Sequence, residues 1–204
     1  MDFKKALPLF SYLFHPLFVS VYAALFYFYV TKGFYYPHEI YLTLLQIVIL
    51  TVFLPLSTYF LLKSLGLVKS GIMLHEKKER RLPLAFQAMF FVVLTQHSFS
   101  TIVLPELYYF FIGALISTFF ALLLIVFNFK ASIHMIGITG LTLFIGGISL
   151  HFGIPFIGLI SFAIIMTGFV ASSRLYMQAH SMKEILTGII IGALPQVMLW
   201  YWWL

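Results

Sequence analysis

The chain has 204 residues, 62% of them hydrophobic, 19% aromatic and only 9% charged, with a mean hydropathy of +1.05. Soluble domains carry about 25% charged residues, so this composition excludes an ordinary soluble protein and points to a polytopic membrane bundle. The net charge of +6 rests on 12 Lys+Arg against 6 Asp+Glu, and the absence of cysteine removes disulfides, thiolate chemistry and Cys-based zinc sites.

Basic loops beside membrane spans and an anionic phosphate ligand are the natural readings of that charge. Nucleic acid is not a partner, because so apolar a chain offers no basic groove interleaved with aromatics. No Pro/Gly/Ser-rich linker, low-complexity tract or repeat marks a boundary, so residues 1–204 read as a single integral membrane domain.

In chain order, Lys4 and Lys5 precede an apolar run over 10–30, interrupted by His15-Pro16. Its length and the lack of a small-residue cleavage site before Thr31-Lys32 make it a first span rather than a signal peptide. A second span covers 40–62, with Pro55 as an expected kink. The most charged stretch, residues 63–83, follows. Spans at 84–102 and 107–127 flank the Pro105-Glu106 turn, the first of them diluted by Gln87, Gln96, His97, Ser98 and Ser100. Two more, 133–151 and 154–171, meet at Phe152-Gly153. The last, 185–204, ends in Trp200, Tyr201, Trp202 and Trp203, an aromatic belt suited to the interface.

The expected fold is therefore all-α, a helical bundle of about six to seven spans, each near the roughly 20 residues that cross hydrocarbon. A β-barrel is excluded, since the apolar runs are continuous rather than alternating. Two crossings separate the 63–83 loop from the 128–132 loop, and two more separate that loop from residues 172–184. All three polar loops thus share one membrane face, provided that 84–102 spans.

Each loop carries ionisable side chains, which hydrocarbon disfavours and which mark functional sites. In the first, Lys77, Arg80 and Arg81 suit an anion, guanidinium offering phosphate a planar fork of donors. In the second, Ser132 is placed to cap a helix whose N–H groups face an anion, with His134 in the first turn. In the third, His180 and Glu184 lie one helical turn apart, so the carboxylate can hold one imidazole nitrogen while the other faces substrate. Arg174 lies too far round a continuous helix to share that face, and Ser172-Ser173 is where an interruption is expected. Gly188 and Gly192 read as a close helix–helix contact. His15, His75, His97 and His151 are assigned to packing or the interface, the first two toward the site face.

With these residues in hand, the chain resembles the type 2 phosphatidic acid phosphatase superfamily, membrane relatives of the vanadium haloperoxidases. Ser173, Arg174 and His180 match its Ser-Arg-x5-His-x3-Asp signature, with Glu184 in place of aspartate. Ala131-Ser132-Ile133-His134 keeps the serine and histidine of Pro-Ser-Gly-His. Lys77, Arg81 and Pro83 loosely follow Lys-x6-Arg-Pro, and Arg80 is the other candidate for its arginine. The resemblance covers residues from about 77 to 204.

It implies a metal-independent, cofactor-free lipid phosphate phosphatase. His180 would be the nucleophile, oriented by Glu184; His134 would be the acid and base; Lys77, Arg80, Arg81, Ser132 and Arg174 would hold the phosphate. The partner implied is a lipid phosphate in the bilayer: phosphatidic acid, phosphatidylglycerol phosphate or a polyprenyl diphosphate. A lipid phosphotransferase using the same histidine and a non-catalytic anion-binding or transport protein are the alternatives. Localisation is read as the bacterial inner membrane. The site face holds eleven basic residues against Lys32 opposite, which directs it to the cytoplasm, although bacterial relatives commonly work on the outer face.

Overall fold

The computed structural model describes residues 3–71, 78–98 and 103–204, and these are helical throughout their regular structure. The helices are α1 (Phe3–Leu13), α2 (Pro16–Thr31), α3 (Pro37–Val48), α4 (Leu54–Ser64), α5 (Arg81–Val93), α6 (Pro105–Val126), α7 (Ile133–His151), α8 (Ile157–Tyr176) and α9 (Met182–Trp203). Among the described residues, five helices are long and apolar enough to cross a membrane, or six if the bent α1–α2 pair is one span.

Proline chemistry accounts for the two breaks in the N-terminal third. Pro16 occupies the first turn of α2, where its missing N–H would be unbonded anyway, and His15 is the extended N-cap. The axes on either side diverge by 62°, so the first apolar run is an α1 arm and α2 joined at a sharp bend rather than one straight helix. At Pro55 the expected distortion takes the form of a π turn, Ile49–Phe53, joining α3 to α4 within one span, Pro37–Ser64. The widened turn accommodates a residue that cannot donate to the ladder.

The segment at 84–102 departs most from expectation. It continues from α5 into a second π turn, Leu94–Ser98, and is not among the long apolar helices; residues 99–102 lie outside those described. The described residues that flank it nevertheless lie at opposite ends of the bundle. Arg80 faces the cavity described below, whereas the Val103 carbonyl accepts from the Tyr35 hydroxyl on the far side.

That far side is tied by a buried carboxylate. Glu106, in the first turn of α6, accepts from the Tyr27 hydroxyl at 3.0 Å and pairs with His151 Nε2 at 3.2 Å, while Tyr27 and Tyr35 hydroxyls meet at 2.9 Å. A helix start favours a negative side chain, and full hydrogen bonding offsets its burial. The C-terminal aromatics divide: Tyr201 and Trp202 are exposed as an interfacial belt requires, but Trp203 is buried in the core beside Phe144 and His151.

Helix α7 is the hub, packing on α2, α8 and α9, with α6 also against α9 and α1 against α8. Lipid tails are as apolar as leucine, so burying Phe110, Phe144 or Ile148 does little by itself to favour association over contact with lipid. Close approach and interhelical hydrogen bonds, worth about 0.6 kcal/mol each on average in such bundles, fix the arrangement. Ser117 Oγ donates to Ile191 O at 2.8 Å, Gln196 Nε2 to Phe110 O at 3.0 Å, and Ser11 Oγ meets Ser173 Oγ at 2.6 Å.

Candidate functional site

Two loops at one end of the bundle are shaped by left-handed caps. After α6, Asn128 takes φ 60° while Phe129 N–H reaches Leu124 O and Asn128 N–H reaches Ile125 O. After α8, Gln178 takes φ 50°, with Ala179 N–H to Arg174 O and Gln178 N–H to Leu175 O. Both are Schellman closures built without glycine. Helix α8 therefore runs unbroken through Ser172-Ser173 and ends at Tyr176, three residues beyond the buried, hydrogen-bonded Ser173. The expected interruption was misplaced because serine inside a helix can bond to a neighbouring helix instead of breaking its own.

The cap at Gln178 turns the chain so that Arg174, late in α8, and His180, just before α9, face one cavity with Arg80, His134 and His15. Lys130 Nζ donates to Ala179 O at 3.1 Å, and Ser132 N–H donates to Glu184 O at 3.1 Å, so the second polar loop is bonded directly to the third. The cavity has a volume of about 190 Å³ and extends from these cationic and imidazole groups to Leu56, Phe91, Phe110 and Ala114, with Gln87, Ser117, Thr118 and Gln196 among the apolar walls.

His180 is buried, and its Nδ1 lies 3.0 Å from Glu184 Oε2. The same oxygen accepts from Ser181 N–H at 3.0 Å, while Ser181 Oγ accepts from Glu184 N–H at 3.4 Å. This is a capping box at the start of α9 that doubles as a histidine clamp. Donation from Nδ1 to the carboxylate places the proton there and leaves the Nε2 lone pair on the other side of the ring. His134 is held the opposite way: its Nε2 lies 3.2 Å from Ser11 O, so Nε2 carries the proton and Nδ1 the lone pair.

Of the first loop, Arg80 enters the cavity and Arg81 does not. The 3₁₀ turn Lys78–Arg80 directs Arg80 inward, where it is buried, and leaves Arg81 exposed at the first position of α5. Lys77, expected to share a helical face with Arg81, lies outside the described residues. Burial, reinforced by the Arg174 charge and opposed by Glu184, lowers Arg80 from its ordinary value to about 10, still a cation at neutral pH. Glu79 anchors the turn by accepting from Lys69 N–H at 2.8 Å and from the Ser70 amide and hydroxyl. Those bonds hold its carboxyl below the usual range, the Ser70 hydroxyl contributing most.

Ser132 is the N-cap of α7, as its position in the sequence suggests, but its hydroxyl makes no cap bond. It is fully buried, and Oγ has no hydrogen-bond partner among the described residues. With its amide bonded to Glu184 O, Ser132 supports the wall of the site and is not part of the lining, unlike Ile133 and His134.

Three contributors were not foreseen as site residues. His15 stacks edge-on against His134 with ring centroids 5.1 Å apart, Ser11 supplies the carbonyl that orients His134, and Tyr59 lines the cavity from α4. Only the His15-Pro16 interruption hinted at them. Among the described residues, no group of three His, Asp or Glu side chains is arranged to hold a metal ion. No protein-family model, curated protein or solved structure matches the chain.

Proposed function

We propose that this is an integral membrane lipid phosphate phosphatase of the bacterial inner membrane, working through a phosphohistidine. The observation that carries the reading is the convergence of a carboxylate-clamped histidine, a second histidine clamped in the complementary tautomer, and two buried arginines on one cavity with an apolar interior.

In this mechanism Arg80 and Arg174 neutralise the phosphoryl oxygens, where positioning and charge stabilisation do most of the work of phosphoryl transfer. His180 Nε2 attacks phosphorus, forming a P–N bond as the P–O bond to the lipid breaks. His134, in its protonated form, gives the Nδ1 proton to the departing oxygen. It then takes a proton from water at Nδ1; the hydroxide attacks phosphorus, the P–N bond breaks, and phosphate leaves. The apolar part of the cavity suits the tail of a substrate such as phosphatidic acid or a polyprenyl diphosphate.

One observation favours the non-catalytic reading, an anion-binding membrane protein. Ser132, one of the phosphate-holding residues implied by the resemblance, is not part of the cavity lining, and its amide is bonded to Glu184 O. Purified protein in detergent separates the two. Release of phosphate from short-chain phosphatidic acid or a polyprenyl diphosphate, reduced at least about 10³-fold in His180→Ala and strongly in His134→Ala, is the expected result. Equal release by wild type and His180→Ala would sink the phosphatase. Transfer of label to an acceptor lipid without free phosphate would indicate the phosphotransferase.

A further inference from the structure

We propose that His15 is a third anion-contacting histidine of the site, donating from Nε2 to a phosphoryl oxygen, and that the bend between α1 and α2 exists to deliver it. The inference rests on the anion site of the preceding section but not on its catalytic chemistry.

Three observations support it. His15 shares the cavity lining with Arg80, His134, Arg174 and His180, although it comes from the opposite end of the sequence. As N-cap of α2 it accepts the Leu17 N–H at Nδ1, 3.4 Å away. A nitrogen that accepts carries no proton, so the neutral ring is the Nε2–H tautomer and Nε2 is a donor. Finally, the ring lies edge-on to His134 at 5.1 Å, beside the group that would handle the leaving-group proton.

The bend that places it is built on purpose-made contacts. Phe10 stacks on Phe169 with centroids 4.6 Å apart, Ser11 bonds Ser173, and the Tyr22 hydroxyl donates to Leu13 O at 2.9 Å. The first two fix α1 against α8 and the third ties α1 to α2, and the same arm presents Ser11 O to His134. A cap alone requires no imidazole, since serine or aspartate caps as well or better. Imidazole adds a second nitrogen on the far side of the ring, a donor that a capping serine lacks.

His15→Ser keeps a cap acceptor and removes that donor, whereas His15→Ala removes both. Inorganic phosphate binding to the full chain in detergent, measured by calorimetry, should weaken about tenfold in both variants, with the His15→Ser melting temperature close to wild type. In ¹⁵N-histidine-labelled wild type, the His15 Nε2 resonance should report a protonated nitrogen and shift on adding phosphate. Wild-type affinity in His15→Ser, or a His15 signal indifferent to phosphate, overturns the assignment. So does the absence of any phosphate binding by wild type. If wild type binds phosphate in a His15-dependent way yet hydrolyses no lipid phosphate, the catalytic reading falls and the histidine assignment stands.

Discussion

Glu184 serves two structural masters with one oxygen, accepting from His180 Nδ1 and from Ser181 N–H at 3.0 Å each. The aspartate of the resembling motif is one methylene shorter; the glutamate reaches the ring because it sits at N3 of α9 and folds back over its own cap. This arrangement allows the two duties to be separated. A capping box accepts Gln at N3 as readily as Glu, so Glu184→Gln should leave the melting temperature within a few degrees of wild type. It removes the negative charge that supports His180 as positive character develops during attack. Turnover should fall on the order of 10²-fold with phosphate affinity little changed; turnover at the wild-type level would show that the carboxylate acts only as a cap. The His180–Glu184 pair was legible in the sequence because both partners lie within one turn. The other half of the clamp was not: Ser11 stands 123 positions from His134, and no local periodicity links them.

Helix α7 carries His134 and α9 carries Glu184, which clamps His180 just before the helix; the closeness of the two helices depends on the absence of side chains at two positions. A Cβ at Gly188 would stand 2.7 Å from Ser132 O, and one at Gly192 would stand 2.5 Å from Ile136 O, both rigid backbone atoms at the start of α7. Gly188→Ala or Gly192→Ala must therefore move the helices apart, costing about 1–3 kcal/mol and separating His134 from His180. Both variants should melt lower in detergent and lose activity together with stability. Gly168→Ala on α8, where an added Cβ meets nothing within 4 Å, should be neutral or slightly stabilising; a matching loss there would refute the close-contact explanation. The four-residue glycine spacing made this contact readable in advance. Element boundaries were harder to read. Asn128 and Gln178 adopt the left-handed caps that glycine usually marks, so the ends of α6 and α8 carry no glycine signal. Serines at 172 and 173 suggested an end that packing against α1 overrides.

At the scale of the whole molecule, polar chemistry is segregated. The cavity end holds Arg80, Arg174, His15, His134 and His180, and the opposite end holds the Glu106–His151–Tyr27 network and Lys32. Composition and loop charge made the membrane bundle and the grouping of the polar loops legible, whereas Arg80 rather than Arg81, and the α1 arm, depended on tertiary turns that sequence spacing does not encode. Charge also carries an expectation for which face the site occupies. By the loop assignment read from the sequence, eleven basic residues fall on the site face, and setting aside Lys77, Arg80, Arg81 and Arg174 as ligand candidates still leaves seven against Lys32. Basic loops are retained on the cytoplasmic side, so the site should open there. The chain has no native cysteine, which makes single-cysteine labelling unambiguous, and Lys32 and Lys69 are both exposed, in the α2–α3 turn and the loop after α4. In intact cells, a membrane-impermeant maleimide should modify Lys32→Cys directly and Lys69→Cys only after permeabilisation. The reverse pattern would turn the site outward and the charge bias would then reflect anion binding rather than topology. Labelling of both from one side would break the alternation that brings the three polar loops to one face.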